Sequence, residues 1–187
     1  MPDHPTQDPD FGKALLSHAR TAIASRLDLP APPTVDHPAL RASGASFVTL
    51  TRHGQLRGCI GHLRPVQALG PDVRENAIAA AFHDPRFAPL TAAEWPDISI
   101  EVSVLGPSVF SPCPTEEDCL RQIVPFQDGV ILASGSRHAT FLPQVWEQLP
   151  DPQEFIAHLL QKAGLPVALW PSDMQLGRYQ VAKYKEF

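Results

Sequence analysis

Apolar residues recur at helical spacing in several segments of the chain. This spacing predicts helices over residues 10–28 and 67–82 and a shorter helix near residues 116–124, capped by Thr115. A further helix is predicted to open at Asp151-Pro152 and to close on Gly164. Each helix has one apolar stripe, so each needs a sheet or another helix to cover it.

Other segments show the alternation of β-strands. The run ISIEVSVL, residues 98–105, alternates apolar and polar positions and predicts a strand that is buried on one face. Two β-rich runs around His53-Gly54 predict a hairpin over residues 46–61, and GVILAS with HATFLP predicts a second pair around Gly135-Ser136. The tail GRYQVAKYKEF predicts one last strand with a frayed end.

The connecting segments are rich in proline. Residues 29–45 and the segment GPSVFSPCP are predicted to be loops, and Thr91-x-x-Glu94 is a capping-box pattern for a short helical turn. Helices and hairpins interleave without a regular βαβ alternation. The pattern therefore favours an α+β fold with mostly antiparallel sheets and flanking helices.

The length and composition limit the kind of protein this is. A chain of 187 residues with 43% hydrophobic and 19% charged residues is expected to fold as a single globular domain over residues 10–187, with residues 1–9 frayed or disordered. We expect neither a signal peptide nor a membrane span. Three cysteines without a C-x-x-C pair favour a reducing, cytoplasmic location.

Positive charge is concentrated in one stretch of this acidic chain. The net charge is −5, yet residues 37–71 contain no acidic residue and carry Arg41, Arg52, Arg57 and Arg64. A local positive field favours a small anionic ligand over a long nucleic acid. The alternative is that these arginines lie on different surfaces.

The hexapeptide LRGCIG, residues 56–61, carries the most chemical information. In a regular strand, Leu56, Gly58 and Ile60 share one face, and Arg57, Cys59 and Gly61 share the other. A guanidinium beside a thiol favours the thiolate, and Gly58 and Gly61 leave room for a ligand or another backbone. Against a functional role, free cysteine is most often buried and inert.

Candidate residues elsewhere have both functional and structural interpretations. In the turn His83-Asp84-Pro85-Arg86-Phe87, Asp84 or His83 could act as an acid or base. For Asp84 we favour a cap of the turn and for Phe87 a place in the core, whereas Arg86 either pairs with Asp84 or binds a ligand. Glu101 interrupts a hydrophobic strand, and Arg57 on a neighbouring strand could neutralise it.

Metal and cofactor motifs are absent from the sequence. Cys59 and His62 are only two ligands, on opposite faces of a strand, so no metal site is predicted. Cys113 and Cys119 are expected to have structural roles. The sequence contains no P-loop, dinucleotide fingerprint, zinc-protease motif or RNA-binding aromatic signature, so no cofactor is predicted and nucleic acid is disfavoured.

The motifs FVTL, LRGCIG, DPRF, EVSVL, FLPQVWEQL and FIAHLLQKAGL, in this order, resemble the AMMECR family, also called AmmeMemoRadiSam system protein A. The resemblance covers residues 11–185. It implies an α+β fold with two lobes and a cleft, with the hexapeptide at or near the site. It also implies partnership with a Memo-like protein and a radical S-adenosylmethionine (SAM) enzyme. Relatives often carry a small polar residue where this chain has His62, which weakens a metal role further.

Two hypotheses of function follow. In the first, the protein is a non-catalytic module that binds a small anion or a partner through Arg57, Gly58, Gly61 and Arg86. In the second, it is an enzyme in which Cys59 is a nucleophile or acid/base thiol, Arg57 binds an anionic substrate, and Glu101 or His83 moves protons. We favour the first.

Overall fold

A computed structural model describes residues 8–186 of the chain. The predicted frayed segment, residues 1–9, falls almost wholly on residues 1–7, which lie outside the described residues. The chain divides into two compact units. The first comprises the segment up to Leu105 together with the segment from Ala182 onward, and the second comprises Gly106–Val181.

Four α-helices and nine β-strands follow one another in the described residues. In chain order they are α1 (Pro9–Arg26), β1 (Ser43–Arg52), β2 (Gln55–Gly61), β3 (Gln67–Ala68), α2 (Leu69–Phe82), β4 (Ile98–Leu105), β5 (Val109–Pro112), α3 (Glu116–Gln122), β6 (Gly129–Ser134), β7 (Arg137–Phe141), α4 (Pro152–Ala163), β8 (Gln175–Tyr179) and β9 (Val181–Lys185).

The first unit is a sheet with two helices packed on it. The strand order is β2-β1-β4-β9, with β3 paired to the start of β1, so β2 lies at an edge. Strand β1 pairs antiparallel with β2, β3 and β4. Alternate apolar side chains of β1 and β4 form one face, which packs with helices α1 and α2 around a core that includes Val48, Leu50, Ile100, Val102, Leu15 and Val73.

The second unit has its own sheet and its own core. Its strands lie in the order β5-β8-β6-β7, and all the pairings are antiparallel. Helix α4 packs on β7 and β6. The rings of Trp146 and Phe155 stack with centroids 3.7 Å apart and are fully buried in this core. Each unit therefore buries enough apolar surface to have a separate core.

The α+β class, the antiparallel sheets and the flanking helices are confirmed. The two compact units correspond to the two implied lobes. Strand β4 has the predicted bounds, and helix α4 ends at Gly164 with φ of 70°. His53 and Gly54 both have positive φ, as a two-residue hairpin turn requires.

Two predictions about the second half of the chain are wrong. The segment predicted as a prolyl loop contains β5, which ends at Pro112, and the tail forms two strands rather than one. Strand β5 lies at a sheet edge, where a proline costs no ladder hydrogen bond. Proline content alone therefore did not distinguish an edge strand from a loop.

Tertiary pairing also shortens the predicted loop over residues 29–45. Pro38–Arg41 form a 3₁₀ helix, and β1 begins at Ser43 because Ser43 and Gly44 pair with β3.

No helix in the described residues is long and apolar enough to cross a membrane.

Candidate functional site

Strand β2 carries the hexapeptide along the edge of the first sheet. Gly58 lies opposite Leu50 and Leu56 lies opposite Thr51, so Arg57 has no opposite residue and forms a β-bulge. Because directly opposite residues share a face, the bulge moves Leu56 to the face that carries Cys59. The prediction that Leu56 shares a face with Gly58 is therefore wrong, because strand parity does not reveal a bulge.

The bulge directs Arg57 to an acid outside the sheet. Arg57 Nε lies 2.9 Å from Glu94 Oε1, its Nη2 lies 3.2 Å from Glu94 Oε2, and Nη2 also donates to the carbonyl of Ala88 at 2.9 Å. The hydrogen bonds from Arg57 lower the pKa of Glu94 to about 2. Arg57 is 13% exposed, so this pair is largely shielded from water.

The predicted pairing of Arg57 with Glu101 is wrong. Strand β1 lies between β2 and β4, and Arg57 is held by Glu94 instead. The sequence analysis had already recognised Glu94 through its capping-box pattern, so Glu94 was an available candidate for the partner of Arg57. Its carboxylate does accept from the backbone N–H and the hydroxyl of Thr91, and it binds Arg57 at the same time.

Asp84 closes the outer edge of β2 at Cys59. Its Oδ2 accepts from the backbone N–H of Cys59 at 2.9 Å, and its Oδ1 accepts from the backbone N–H of Arg86 at 3.0 Å. The Arg86 guanidinium donates to both carboxylate oxygens, at 3.0 and 2.7 Å, and to the carbonyl of Cys59 at 3.4 Å. Together these bonds hold the pKa of the buried Asp84 carboxyl well below its usual range, and the hydrogen bonds from the Arg86 side chain have the largest effect.

Arg86 is the guanidinium that lies beside Cys59. Asp84 raises the pKa of Arg86, with a smaller electrostatic contribution from Cys59. The Arg86 side chain is nevertheless 53% exposed. The ring of Phe87, which is half-buried and lies outside the core clusters, is 5.5 Å from Arg86 Cζ and 5.7 Å from Arg57 Cζ. Phe87 therefore packs against two guanidinium groups, and the prediction that it lies in the core is wrong.

Cys59 belongs to a row of three polar side chains across the sheet. It lies opposite Thr49, and Thr49 lies opposite Glu101, so the three side chains share a face. This face is opposite to the one that packs on the helices. The Thr49 hydroxyl donates to Cys59 Sγ at 3.3 Å. Thr49 was missed in the sequence because strand register is not encoded locally.

Other parts of the protein pack closely against the two glycines of the hexapeptide, Gly58 and Gly61. A Cβ at Gly58 would strike the carbonyl oxygen of Ala80 in α2, and a Cβ at Gly61 would strike the ring of Phe47 and the carbonyl of Ser46. Of the two uses considered for these glycines, close approach of another backbone is therefore the one observed.

The two histidines near the hexapeptide have different surroundings. His83 is exposed at the end of α2, where its backbone N–H donates to the carbonyl of Ala79. His62 Nδ1 lies 2.7 Å from Oδ1 of the fully buried Asp72. Asp72 also accepts from the N–H and hydroxyl of Ser46 and from Asn76. This network ties α2 to β1 and was not predicted.

The positive charge of residues 37–71 is mostly compensated. Arg41 pairs with Asp36, Arg52 with Asp97, and Arg57 with Glu94. Within residues 8–186, Arg64 is the arginine of this stretch without an ion pair. Arg52 Nη1 also lies 3.6 Å from Glu94 Oε1, so Arg52 and Arg57 share one carboxylate, whereas Arg41 pairs with a different acid. No group of three His, Cys, Asp or Glu side chains in the described residues could hold a metal ion.

The fold and this arrangement place the chain among known proteins. The AMMECR1 family model matches residues 16–184, so the chain belongs to the AMMECR1 family. It is 37% identical to a protein of Thermococcus onnurineus, over 95% of this chain and 91% of that one. A protein of Methanothermobacter thermautotrophicus is 36% identical over 95% of both chains.

A solved structure has the same fold. The crystal structure of uncharacterized protein PH0010 from Pyrococcus horikoshii aligns with a TM-score of 0.79 and 34% identity, covering 95% of this chain and 92% of that one. The match extends through both compact units, so the family's fold includes the hexapeptide edge and the second core.

Proposed function

We propose that this protein is a binding module that takes the anionic group of a small molecule, a carboxylate or a phosphate, at the Cys59 edge of the first sheet. The observation that supports this is the state of Arg86. Its guanidinium is oriented by the buried Asp84 and by the carbonyl of Cys59, yet more than half of its side chain is exposed.

An arginine held in this way is prepared for binding. Its planar group matches the oxygens of a carboxylate or phosphate, and its orientation is already fixed, so binding requires little further ordering of the side chain. Among the residues described, no acceptor is bonded to Arg86 Nη1. The adjacent Cys59 thiol and Thr49 hydroxyl offer further polar contacts to a small ligand.

The other residues of the predicted site have supporting roles in this proposal. Arg57 is bonded within the protein, so it positions the segment around Glu94 rather than contacting the ligand. Gly58 and Gly61 allow the close packing of β2 on α2 and β1. Arg86 is thus the binding group, and Cys59 lies beside it.

Titration of the purified chain with a panel of carboxylates and phosphates tests the proposal. Arg86→Gln should weaken binding of the best anion about 10- to 100-fold, because a charge-assisted hydrogen bond contributes about 1.5–3 kcal/mol. The matched control is Arg64→Gln, which removes an exposed arginine without an ion pair in the described residues and should change affinity less than about twofold. Arg86→Lys should give an intermediate loss.

The melting temperature of each variant separates loss of binding from loss of folding. Arg86→Gln leaves Asp84 with one fewer partner, whereas Arg86→Lys keeps a positive charge beside it. Equal losses in Arg86→Gln and Arg64→Gln, or no anion that binds the wild-type protein, would contradict the proposal.

A second candidate function is catalysis by the Cys59 thiol. The observation that favours it is the hydrogen bond that the Thr49 hydroxyl donates to Cys59 Sγ at 3.3 Å. Glu101 lies in the same row of side chains across the sheet, on the other side of Thr49 from Cys59. In this second candidate function its carboxylate takes part in proton transfer. His83 is a weaker candidate, since its ring is exposed at the end of α2.

The family resemblance adds a proposal about partners. We propose that the protein acts with a Memo-like protein and a radical SAM enzyme. Affinity purification of the tagged chain from its own host tests this. Recovery of either protein supports the association, and recovery of neither contradicts it.

A further inference from the structure

Strand β5 lies at an edge of the second sheet and pairs on one side only, with β8. The N–H of Cys113, which directly follows the strand, donates to the carbonyl of Met174 at 3.0 Å. In an antiparallel pair every second residue bonds the neighbouring strand. Ser111 and Val109 therefore also bond β8, whereas the N–H and the carbonyl of Phe110 point away from it, towards the open edge.

The outward backbone groups of Phe110 are unoccupied. Neither group has a hydrogen-bond partner in the part of the chain that the structure describes. Pro112, the other residue of β5 whose backbone faces outward, has no N–H, and its carbonyl accepts from Gln122 Nε2 at 3.4 Å. The edge of β5 therefore offers one free donor and one free acceptor, both on the same residue.

The side chains at this edge are apolar and exposed. Val109 is 60% exposed and Phe110 is 53% exposed. A Cβ at Gly177 would lie 2.8 Å from Phe110 Cε1, so the ring packs on the backbone of β8 at this glycine. The ring is thus held in place while about half of its residue surface remains open to solvent.

The loop over residues 165–171 extends the apolar surface beyond the end of β5. Trp170 Nε1 in this loop donates to the carbonyl of Cys113 at 2.8 Å, so the loop is attached to the end of the strand. Val167 and Leu169 of the loop are 49% and 72% exposed. Contiguous exposed apolar surface of this kind marks a site of protein association.

Other sheet edges are protected, but the edge at β5 is not. In the same sheet, the edge strand β7 begins with Arg137, and Lys162 Nζ donates to the carbonyl of Thr140 in that strand at 3.0 Å. In the first sheet, side chains of the loop after α2 close the edge of β2. Charged side chains at an edge oppose pairing with another chain. Residues 106–114 and 165–171 contain no charged residue.

We propose that β5 pairs antiparallel with β5 of a second copy of this chain, about a two-fold axis at Phe110, so that the protein forms a dimer through its second unit. In this pair the N–H of each Phe110 donates to the carbonyl of the other, so one residue provides both groups that the contact needs. The surface is therefore complementary to itself.

The distribution of charge favours a second copy as the occupant of this edge. Two chains with a net charge of −5 repel each other, and a charged side chain near a two-fold axis meets its own copy. The uncharged segments around β5 avoid both costs. In this register Pro112 lies opposite Ser108 of the second copy, so the missing N–H of the proline costs a hydrogen bond at the end of the pair and not at the axis.

Sedimentation velocity of the full chain tests the proposal. Because small interfaces bind weakly, the chain is measured from about 1 µM to about 1 mM. The wild-type chain should pass from the mass of one chain to the mass of two. Phe110→Lys places like charges directly opposite each other at the axis and should raise the dissociation constant of the dimer at least about tenfold.

A second variant keeps the measurement informative if Phe110→Lys does not fold. Val109→Glu places a carboxylate opposite Arg178 of β8, which favours the folded chain, but it brings two carboxylates close together in the dimer. The dissociation constant should again rise at least about tenfold. The matched control is Val66→Glu, at a valine of the first unit that is 69% exposed, and it should change the constant less than about twofold.

Hydrogen exchange followed by nuclear magnetic resonance distinguishes pairing at β5 from a dimer formed elsewhere. At a concentration at which the wild-type chain is dimeric, the N–H of Phe110 should exchange at least about tenfold more slowly than in Val109→Glu. The N–H of Ser111 already bonds β8 in a single chain, so its exchange rate should differ much less between the two proteins.

Three results would overturn the proposal. The first is a wild-type chain that remains monomeric at all these concentrations. The second is a dimer that Val109→Glu and Val66→Glu weaken equally, and the third is a dimer in which the N–H of Phe110 exchanges as fast as in the monomer. Because none of these readouts involves anion binding, their failure is distinguishable from failure of the function proposed above.

Discussion

Cys59 is fixed by contacts on three sides, each from a different part of the first unit. Its N–H is bonded to Asp84, its carbonyl to Arg86, and its sulfur to the hydroxyl of Thr49. The backbone contacts come from the loop after α2, whereas the contact to sulfur comes from β1. The side chain is therefore held where its surroundings are polar, unlike the buried cysteines of the second unit.

Replacing Thr49 by valine tests the contact to sulfur. Thr49→Val keeps the side-chain shape but removes the hydroxyl donor, and a hydrogen bond of about 1 kcal/mol corresponds to about a fivefold effect. The rate of Cys59 alkylation by iodoacetamide at fixed pH should therefore fall about fivefold. Thr51→Val, two residues along on the same face, should change the rate less than about twofold. If the alkylation rate of Cys59 is unchanged in Thr49→Val, the hydrogen bond from Thr49 has no effect on the reactivity of the thiol and no longer supports catalysis by Cys59.

At the scale of elements, the segment after α2 clamps the edge strand β2. Asp84 and Arg86 bond both backbone groups of Cys59, while Ala88 and Glu94 bond the guanidinium of Arg57. An edge strand otherwise presents unpaired N–H and carbonyl groups to solvent. The clamp thus completes the edge with side chains instead of another strand.

The pH dependence of stability tests the clamp. The pKa of Glu94 is about 2 in the folded chain, below its ordinary value of 4.5. A lowered folded-state pKa stabilises the fold at pH above about 4.5, and this stabilisation is lost as the pH falls towards 2. Glu94→Gln should therefore unfold at lower urea concentration than wild type at pH 7, and the difference should shrink between pH 4.5 and 2.

The exposed Glu147 provides the comparison for this measurement. Glu147→Gln should unfold at nearly the same urea concentration as wild type throughout this range, because a solvated carboxylate contributes little to the free energy of unfolding. A difference between Glu94→Gln and wild type that stays constant from pH 5 to pH 2 would show that the Arg57–Glu94 charge pair is not its source.

Local sequence signals predicted the elements better than they predicted the contacts. The alternation of β4, the hairpin turn at His53-Gly54 and the end of α4 at Gly164 all depend on near neighbours in the sequence. The bulge at Arg57 and the row from Cys59 through Thr49 to Glu101 depend on strand register, which is set by distant residues. The hexapeptide was therefore found, but its cation was assigned to Arg57 where the structure places Arg86 beside the thiol.

At the scale of the whole molecule, charge is distributed by pairing. The chain carries a net charge of −5, and most arginines of the acid-free stretch are matched by acids from outside it. Long-range attraction therefore contributes little to capture of an anion, and specificity must come from the fixed geometry around Arg86. We accordingly expect one small ligand rather than general affinity for polyanions.

Native mass spectrometry of the chain purified from its own host is the decisive experiment on whether Arg86 holds a small anion. The wild-type protein and Arg64→Gln should retain a small anionic molecule, and Arg86→Gln, still folded by its melting curve, should not. If the wild-type protein carries no such molecule and binds none of the carboxylates or phosphates offered to it, or if Arg86→Gln retains the same molecule, then Arg86 is not the binding group of an anion site.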